Sequence, residues 1–148
     1  MDDRESEENM STLVTELRTT KTADTVDDPS DIFTQCESLL RLSDGWLDGE
    51  GKAPSKSGVH WVAEQIKSHF PSEATPYLYP TLEGGVRAEW SAGDWEFSLE
   101  INLETRSGYW HALCMNDVTD EEQSLDLNRQ DHWDWVRTAV LNKKWGMA

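Results

Sequence analysis

Three glutamates in the segment GGVRAEWSAGDWEFSLEI, residues 84–101, have the spacing that could support chemistry. Glu89, Glu96 and Glu100 alternate with apolar residues, so a pair of strands would project them from one face. His111, in the next apolar segment, would join that face. A histidine with several carboxylates can bind a divalent metal ion and activate water. Glu89, Glu96, Glu100 and His111 are therefore candidate ligands for metal-dependent hydrolysis, such as that of a nuclease.

Two other interpretations of the same carboxylates stay open. The exposed face of an antiparallel sheet carries polar residues without any functional reason, and an acidic face also suits contact with another protein. Metal-dependent hydrolysis usually requires a lysine or another general base beside the metal. The pattern places only Arg87 and His111 on this face as basic groups. We therefore favour a solvated face or a protein-binding face over catalysis.

The other residues with reactive or ligating side chains favour structural roles. The chain lacks the GxSxG, HExxH and GxxxxGK[ST] motifs. Cys36 and Cys114 are predicted to be buried thiols in a reducing compartment. Loop 44–51, DGWLDGEG, fails the calcium-loop pattern because Lys52 and Ala53 stand where an acid and a glycine are required. We predict no catalytic residue and no cofactor.

The formal charge of −16 over 148 residues narrows the choice of partner. Nucleic acids and anionic membranes are bound mainly through lysine and arginine, so direct binding to either is not expected. A basic protein is the expected partner, including one that itself binds nucleic acid. No apolar run approaches the roughly 20 residues of a membrane span. The acidic start also lacks the apolar region of a signal peptide, and we expect a cytoplasmic protein.

One α+β domain at residues 31–148 would position these residues, preceded by an acidic disordered arm at residues 1–30. Apolar spacing predicts a helix that begins after a cap at Ser30 and ends near Ser43. A second helix is predicted from a cap at Ser55 to about Phe70. A last helix, capped by Asp131, is predicted to extend to about residue 144 and to pack on one face of a sheet.

Between the second and the last helix, alternation predicts an antiparallel meander of four to five strands. An edge strand is expected at residues 76–81. Two long strands follow, joined by a turn at Ala92-Gly93. A third long strand is expected at Tyr109–Met115 and a short one at Ser124–Leu127.

The eight tryptophans predict a packed core. We expect those of the strands and the last helix to pack against each other: Trp90, Trp95, Trp110, Trp133 and Trp135. Trp145 is expected to be exposed, which makes it a candidate anchor of an interface.

The segment at residues 80–101 resembles a group of small uncharacterised bacterial proteins. The likeness rests on Pro80, Thr81, Gly84, Gly85, Glu89, Trp90, Leu99, Glu100 and Ile101. The preceding GWLDGEGKAPS, residues 45–55, is similar to the same group. The resemblance covers about half of the chain. It implies a shared α+β fold and a bacterial origin, and it transfers no catalytic residue.

Three functions remain after the sequence analysis. The leading one is a non-enzymatic acidic binding protein, an antitoxin-, immunity- or inhibitor-like accessory factor that engages a basic partner through Arg87, Glu89, Glu96, Glu100 and Trp145. The first alternative is the metal-dependent hydrolase described above. The second is a structural subunit of a bacterial defence or mobile-element complex, with the N-terminal arm or Trp145 as its docking piece.

Overall fold

The chain folds as an α+β protein, as the sequence predicts. A computed structural model describes residues 31–116 and 119–144. The predicted arm at residues 1–30 and Trp145 lie outside this part of the chain. The α-helices are α1 (Ile32–Leu40), α2 (Lys56–His69) and α3 (Gln130–Lys144). The strands are β1 (Tyr77–Pro80), β2 (Val86–Ala92), β3 (Trp95–Asn102), β4 (Ser107–Cys114) and β5 (Thr119–Asp126).

The strands form one antiparallel sheet in the order β1-β2-β3-β4-β5, so each strand pairs with its neighbour in the sequence. The alternation of β2 and β3 sets their register, because a shift of one residue would turn every apolar side chain to solvent. The chain turns between them at Gly93, whose φ of 62° lies in the left-handed region that glycine adopts readily. The predicted hairpin is therefore confirmed.

The first two helices begin at side-chain caps. Asp31, and not the predicted Ser30, accepts a hydrogen bond from a backbone N–H in the first turn of α1. Ser55 does the same for α2, as predicted. The prediction for the last helix is wrong at its start, because α3 begins at Gln130 and Asp131 already lies in its first turn. The Asp131 carboxylate instead accepts two hydrogen bonds from Arg129, at 3.0 and 2.8 Å.

Gln35 joins α1 to the edge of the sheet. Its side-chain amide donates to the Pro76 carbonyl oxygen at 2.9 Å, and its side-chain oxygen accepts from the Leu78 N–H at 2.8 Å. The helix ends at Leu40 rather than near Ser43. α1 is thus a short helix whose position depends on one polar side chain as well as on its apolar face.

One face of the sheet carries the apolar residues and forms a single core with the inner sides of the helices. Trp133 of α3 is fully buried, and its Nε1–H donates to the Leu127 carbonyl oxygen at 2.9 Å. Trp90 and Trp110 are also buried, with ring centroids 6.1 Å apart. The predicted tryptophan core is confirmed at these positions. Trp135 is 42% exposed, but its ring meets that of Trp110 edge-on at 5.7 Å, so it packs at the rim of this core.

The last strand is longer than the sequence predicts. β5 spans Thr119–Asp126 rather than Ser124–Leu127, and it pairs with β4 along its whole length. Seven of its eight residues are exposed. Apolar and polar residues alternate along a strand when one of its faces is buried and the other is exposed. An edge strand that is exposed on both faces gives no such signal, which is why TDEEQSLD resembles a polar loop.

Candidate functional site

The sheet face opposite the helices holds the predicted site residues, except Trp145, which lies outside the described residues. Directly paired residues of neighbouring strands project from the same face, so the register assigns each side chain to one side. We call this surface the open face. It comprises Tyr77, Tyr79, Arg87, Glu89, Ser91, Glu96, Ser98, Glu100, Asn102, Ser107, Tyr109, His111, Leu113, Asp120, Glu122, Ser124 and Asp126. Six carboxylates share this face with one arginine, so its net charge is strongly negative.

Arg87, Glu89 and Glu100 form one ion-paired group on the open face. Arg87 Nη2 lies 2.6 Å from Glu100 Oε2, and Nη1 lies 3.8 Å from Glu89 Oε2. The hydrogen bond to Glu100 raises the pKa of Arg87. The side chains are 44%, 48% and 35% exposed for Arg87, Glu100 and Glu89, respectively, so such pairs contribute at most about 1 kcal/mol each. Their main effect is to hold the two glutamates in place and to neutralise part of their charge.

Glu96 lies apart from that group, near the turn between β2 and β3. Its two carboxylate oxygens accept from the Ser91 hydroxyl at 2.9 and 3.1 Å. A hydroxyl group carries no charge, so this contact leaves the negative charge of Glu96 uncompensated at the exposed end of the hairpin.

His111 lies with two carboxylates that the sequence analysis did not include. Its Nε2 is 2.6 Å from Asp120 Oδ1, and Glu122 is its directly paired residue on β5. The ligating atoms of His111, Asp120 and Glu122 all lie within 4.8 Å of one another; we call this group the β5 cluster. A hydrogen bond to Glu122 raises the pKa of the Tyr109 hydroxyl.

The two missing carboxylates were not found because β5 was predicted to start too late. A usable signal exists in TDEEQ, where Asp120 and Glu122 stand at alternate positions a short distance after the strand that carries His111. Treating this segment as the second arm of a hairpin would have placed both acids on the face of His111.

The structure divides the four predicted metal ligands among three separate places. Glu89 and Glu100 belong to the arginine group, Glu96 lies near the turn, and His111 belongs to the β5 cluster. Among the described residues, the group with three ligating atoms close together is the β5 cluster, which contains none of the three glutamates. The structure thus keeps these glutamates on one face but does not gather them with His111.

Both cysteines are buried, as predicted. Cys36 lies on the inner side of α1, where burial, with a smaller contribution from Asp31, raises its pKa to about 11. Cys114 is on the core side of β4, opposite the open face. The thiolate is the reactive form of cysteine, so Cys36 is not suited to nucleophilic catalysis at neutral pH.

Loop 44–51 is a structural loop beside the open face. Trp46 is buried and its Nε1–H donates to the Lys52 carbonyl oxygen at 3.2 Å. Asp44 Oδ1 accepts from the Ala53 N–H at 2.9 Å, just after the loop. A groove of about 390 Å³ separates this loop from the sheet, and its lining includes Tyr79 and Arg87. The open face therefore continues into a groove at the β1 edge.

Among the described residues, no helix combines the length and the apolar character that crossing a membrane requires. Comparisons with protein-family models, with curated proteins and with solved structures gave no match to the chain. The resemblance at residues 80–101 therefore stays a prediction, and the function must be inferred from the chemistry of the open face.

Proposed function

We propose that the protein is a non-enzymatic binding protein whose open face engages a basic protein partner, in the manner of an antitoxin, an immunity protein or an inhibitor. The observation that carries this proposal is the charge of the open face, with six carboxylates and one arginine. That arginine, Arg87, is already paired with Glu100 and Glu89. One arginine offsets only one of the six negative charges, so the face, including Glu89 and Glu100, still offers negative charge to a partner.

The area of the open face suits a protein partner. Four strand spacings of about 4.8 Å and a length of eight residues at about 3.3 Å each give a flat area of about 500 Å². Side chains increase the accessible area beyond this value, and the groove at the β1 edge extends it. A standard interface buries about 800 Å² on each partner. The accessible area of the open face, together with the groove at its edge, is of that order.

Aromatic side chains among the carboxylates also support a binding role. Tyr109 is 43% exposed in the middle of the open face, and Tyr77 and Tyr79 occupy its β1 edge. Tyrosine is enriched at protein interfaces because it offers a large apolar ring together with a hydroxyl group. Carboxylates at the rim would speed the encounter with a basic partner, and the tyrosines would supply apolar contact area after docking.

The test compares two variants that remove the same charge from opposite sides of the protein. The first carries Glu89→Gln, Glu96→Gln and Glu100→Gln on the open face. The matched control carries glutamine at three exposed glutamates of the helical side, namely Glu37, Glu64 and Glu73. Both variants change the net charge by the same amount. A difference between them therefore reports the location of the charge and not its total.

The tagged full-length chain would capture partners from a lysate of the source organism. Each enriched protein would then be purified and titrated by calorimetry against the wild type, the open-face variant and the control variant. We expect one basic protein whose affinity falls at least about tenfold with the open-face variant, since three charge contacts are lost. The control variant should stay within about threefold of the wild type. Equal affinities of the two variants, or a partner without excess positive charge, would refute the proposal. Loss of folding in the open-face variant, followed by circular dichroism, would also count against it.

A further inference from the structure

The β5 cluster brings one imidazole and two carboxylates to a common point on the open face. His111 and Glu122 are directly paired across β4 and β5, and Asp120 is the neighbour on the same face of β5. Three atoms separated by no more than 4.8 Å all lie within about 2.8 Å of a common point, whereas zinc binds nitrogen and oxygen ligands at about 2.0–2.2 Å. Side-chain movements of less than about 1 Å would therefore complete a coordination sphere.

We propose that His111, Asp120 and Glu122 form a binding site for a divalent transition-metal cation of the zinc class. The ligand set decides the class of metal. Imidazole nitrogen with carboxylate oxygen suits zinc and its neighbours among the first-row metals, whereas magnesium and calcium prefer sites made of oxygen alone. Three protein ligands leave a fourth position, which faces solvent on the open face and takes water.

Two features around the cluster support cation binding. Tyr109 is the diagonal neighbour of Glu122 on the open face, where its hydroxyl can serve as an outer contact that orients a ligating carboxylate. The surrounding face is negative, and its arginine is paired with Glu100 and Glu89 on the β2–β3 side of the sheet. The field at the cluster thus attracts a cation, and Arg87 is engaged away from it.

The short contact between His111 Nε2 and Asp120 Oδ1, 2.6 Å, is an imidazole–carboxylate hydrogen bond. A metal ion would replace the shared proton, because a histidine ligand binds through a nitrogen that carries no proton. The site does not depend on the proposed partner, since all three ligands come from this chain.

The chain provides close controls for a test of this site. Glu121 lies between the two carboxylate ligands, but its side chain projects to the other face of β5 and is exposed. His60 is an exposed histidine on α2. Glu121→Gln and His60→Ala therefore remove the same types of group as Glu122→Gln and His111→Ala without touching the cluster.

The experiment titrates the chelator-treated full-length chain with Zn²⁺ by calorimetry and with Co²⁺ by visible absorption, which reports the coordination of the metal. We expect one Zn²⁺ per chain with micromolar affinity and a Co²⁺ spectrum that is lost in His111→Ala. Loss of an outer contact alone weakens metal sites about 10- to 100-fold, so His111→Ala and Glu122→Gln should each weaken Zn²⁺ binding at least about tenfold. Glu121→Gln and His60→Ala should change it less than about twofold.

Three results would overturn the proposal. One is Zn²⁺ affinity that His111→Ala leaves within twofold of the wild type, which would place the ion elsewhere. Another is Mg²⁺ binding as tight as Zn²⁺ binding, which would indicate general attraction to acidic groups. The third is the absence of any saturable Zn²⁺ binding. Circular dichroism of each variant verifies that a loss of binding is not a loss of folding.

Discussion

Replacing Trp133 with phenylalanine should strongly destabilise the protein, because this side chain fixes α3 on the core side of the sheet. Trp133 is fully buried. Its ring stacks on His69 of α2 at 5.9 Å and meets Trp61 edge-on at 6.0 Å, and its Nε1–H donates to the Leu127 carbonyl oxygen. One residue thus connects two helices and the segment that leads out of β5.

The loss in the free energy of unfolding that Trp133→Phe should cause has two parts. Phenylalanine has no donor, so the buried Leu127 carbonyl oxygen loses the hydrogen bond from Trp133, at a cost of about 1–3 kcal/mol. The smaller ring also removes the equivalent of about two buried carbon groups, at about 0.8 kcal/mol each. Together they predict a loss of about 3 kcal/mol, a large share of the roughly 5–15 kcal/mol that stabilises a domain.

Urea denaturation followed by far-ultraviolet circular dichroism measures this loss without using tryptophan fluorescence. The matched control is Trp135→Phe, which makes the same substitution two residues later, where the side chain is 42% exposed. It should cost less than about 1 kcal/mol. Equal shifts in the unfolding midpoint for the two variants would refute the assignment of Trp133 as the buried anchor of α3.

Two further predictions concern the first helix. Gln35→Ala should destabilise the protein by about 2 kcal/mol and speed hydrogen exchange at the Leu78 amide, because two backbone groups lose their side-chain partner. The control is Glu37→Ala, which changes an exposed residue of the same helix. Equal exchange rates of the Leu78 amide in the two variants would contradict the prediction. The raised pKa of Cys36, about 11 against the ordinary 9.0, means that the folded state holds the thiol proton more tightly than the unfolded state. The resulting stabilisation is fully present below pH 9 and is lost as the pH rises toward 11. Urea titrations should therefore show that the free energy of unfolding declines less between pH 9 and 11 for Cys36→Ala than for the wild type. An identical decline would show that Cys36 does not carry the effect.

The parts of the fold that the sequence predicts well are those with one buried and one exposed face. Trp90 alternates with Arg87 and Glu89 in β2, and Phe97 and Leu99 alternate with glutamates in β3. The burial of these strands follows the same alternation. Sequence periodicity reports burial on one side, and it therefore identified the central hairpin and placed its glutamates on the correct face.

The β5 cluster could not be predicted in the same way. Asp120 and Glu122 stand in a strand that is exposed on both sides, so no apolar partner marks their orientation. Their closeness to His111 depends on the register between β4 and β5. The start of α3 was mistaken for a related reason, since Asp131 is a good capping residue but is held by the side chain of its neighbour Arg129. In both cases the local sequence preference does not determine the structure. A strand pairing decides where the β5 carboxylates lie, and a side-chain contact with Arg129 accompanies the earlier start of α3.

The meander order of the sheet has a consequence for synthesis on the ribosome. Every strand pairs with the strand just before it, so a nascent chain closes only short loops as it lengthens. Once β5 has been translated, the carboxylates of the open face can already stand in register. The apolar side around Trp110 still lacks α3, which follows β5 in the sequence and brings Trp133 and Trp135. The growing chain can therefore form its open face before α3 covers the apolar side, and that uncovered side is the surface that a chaperone would meet.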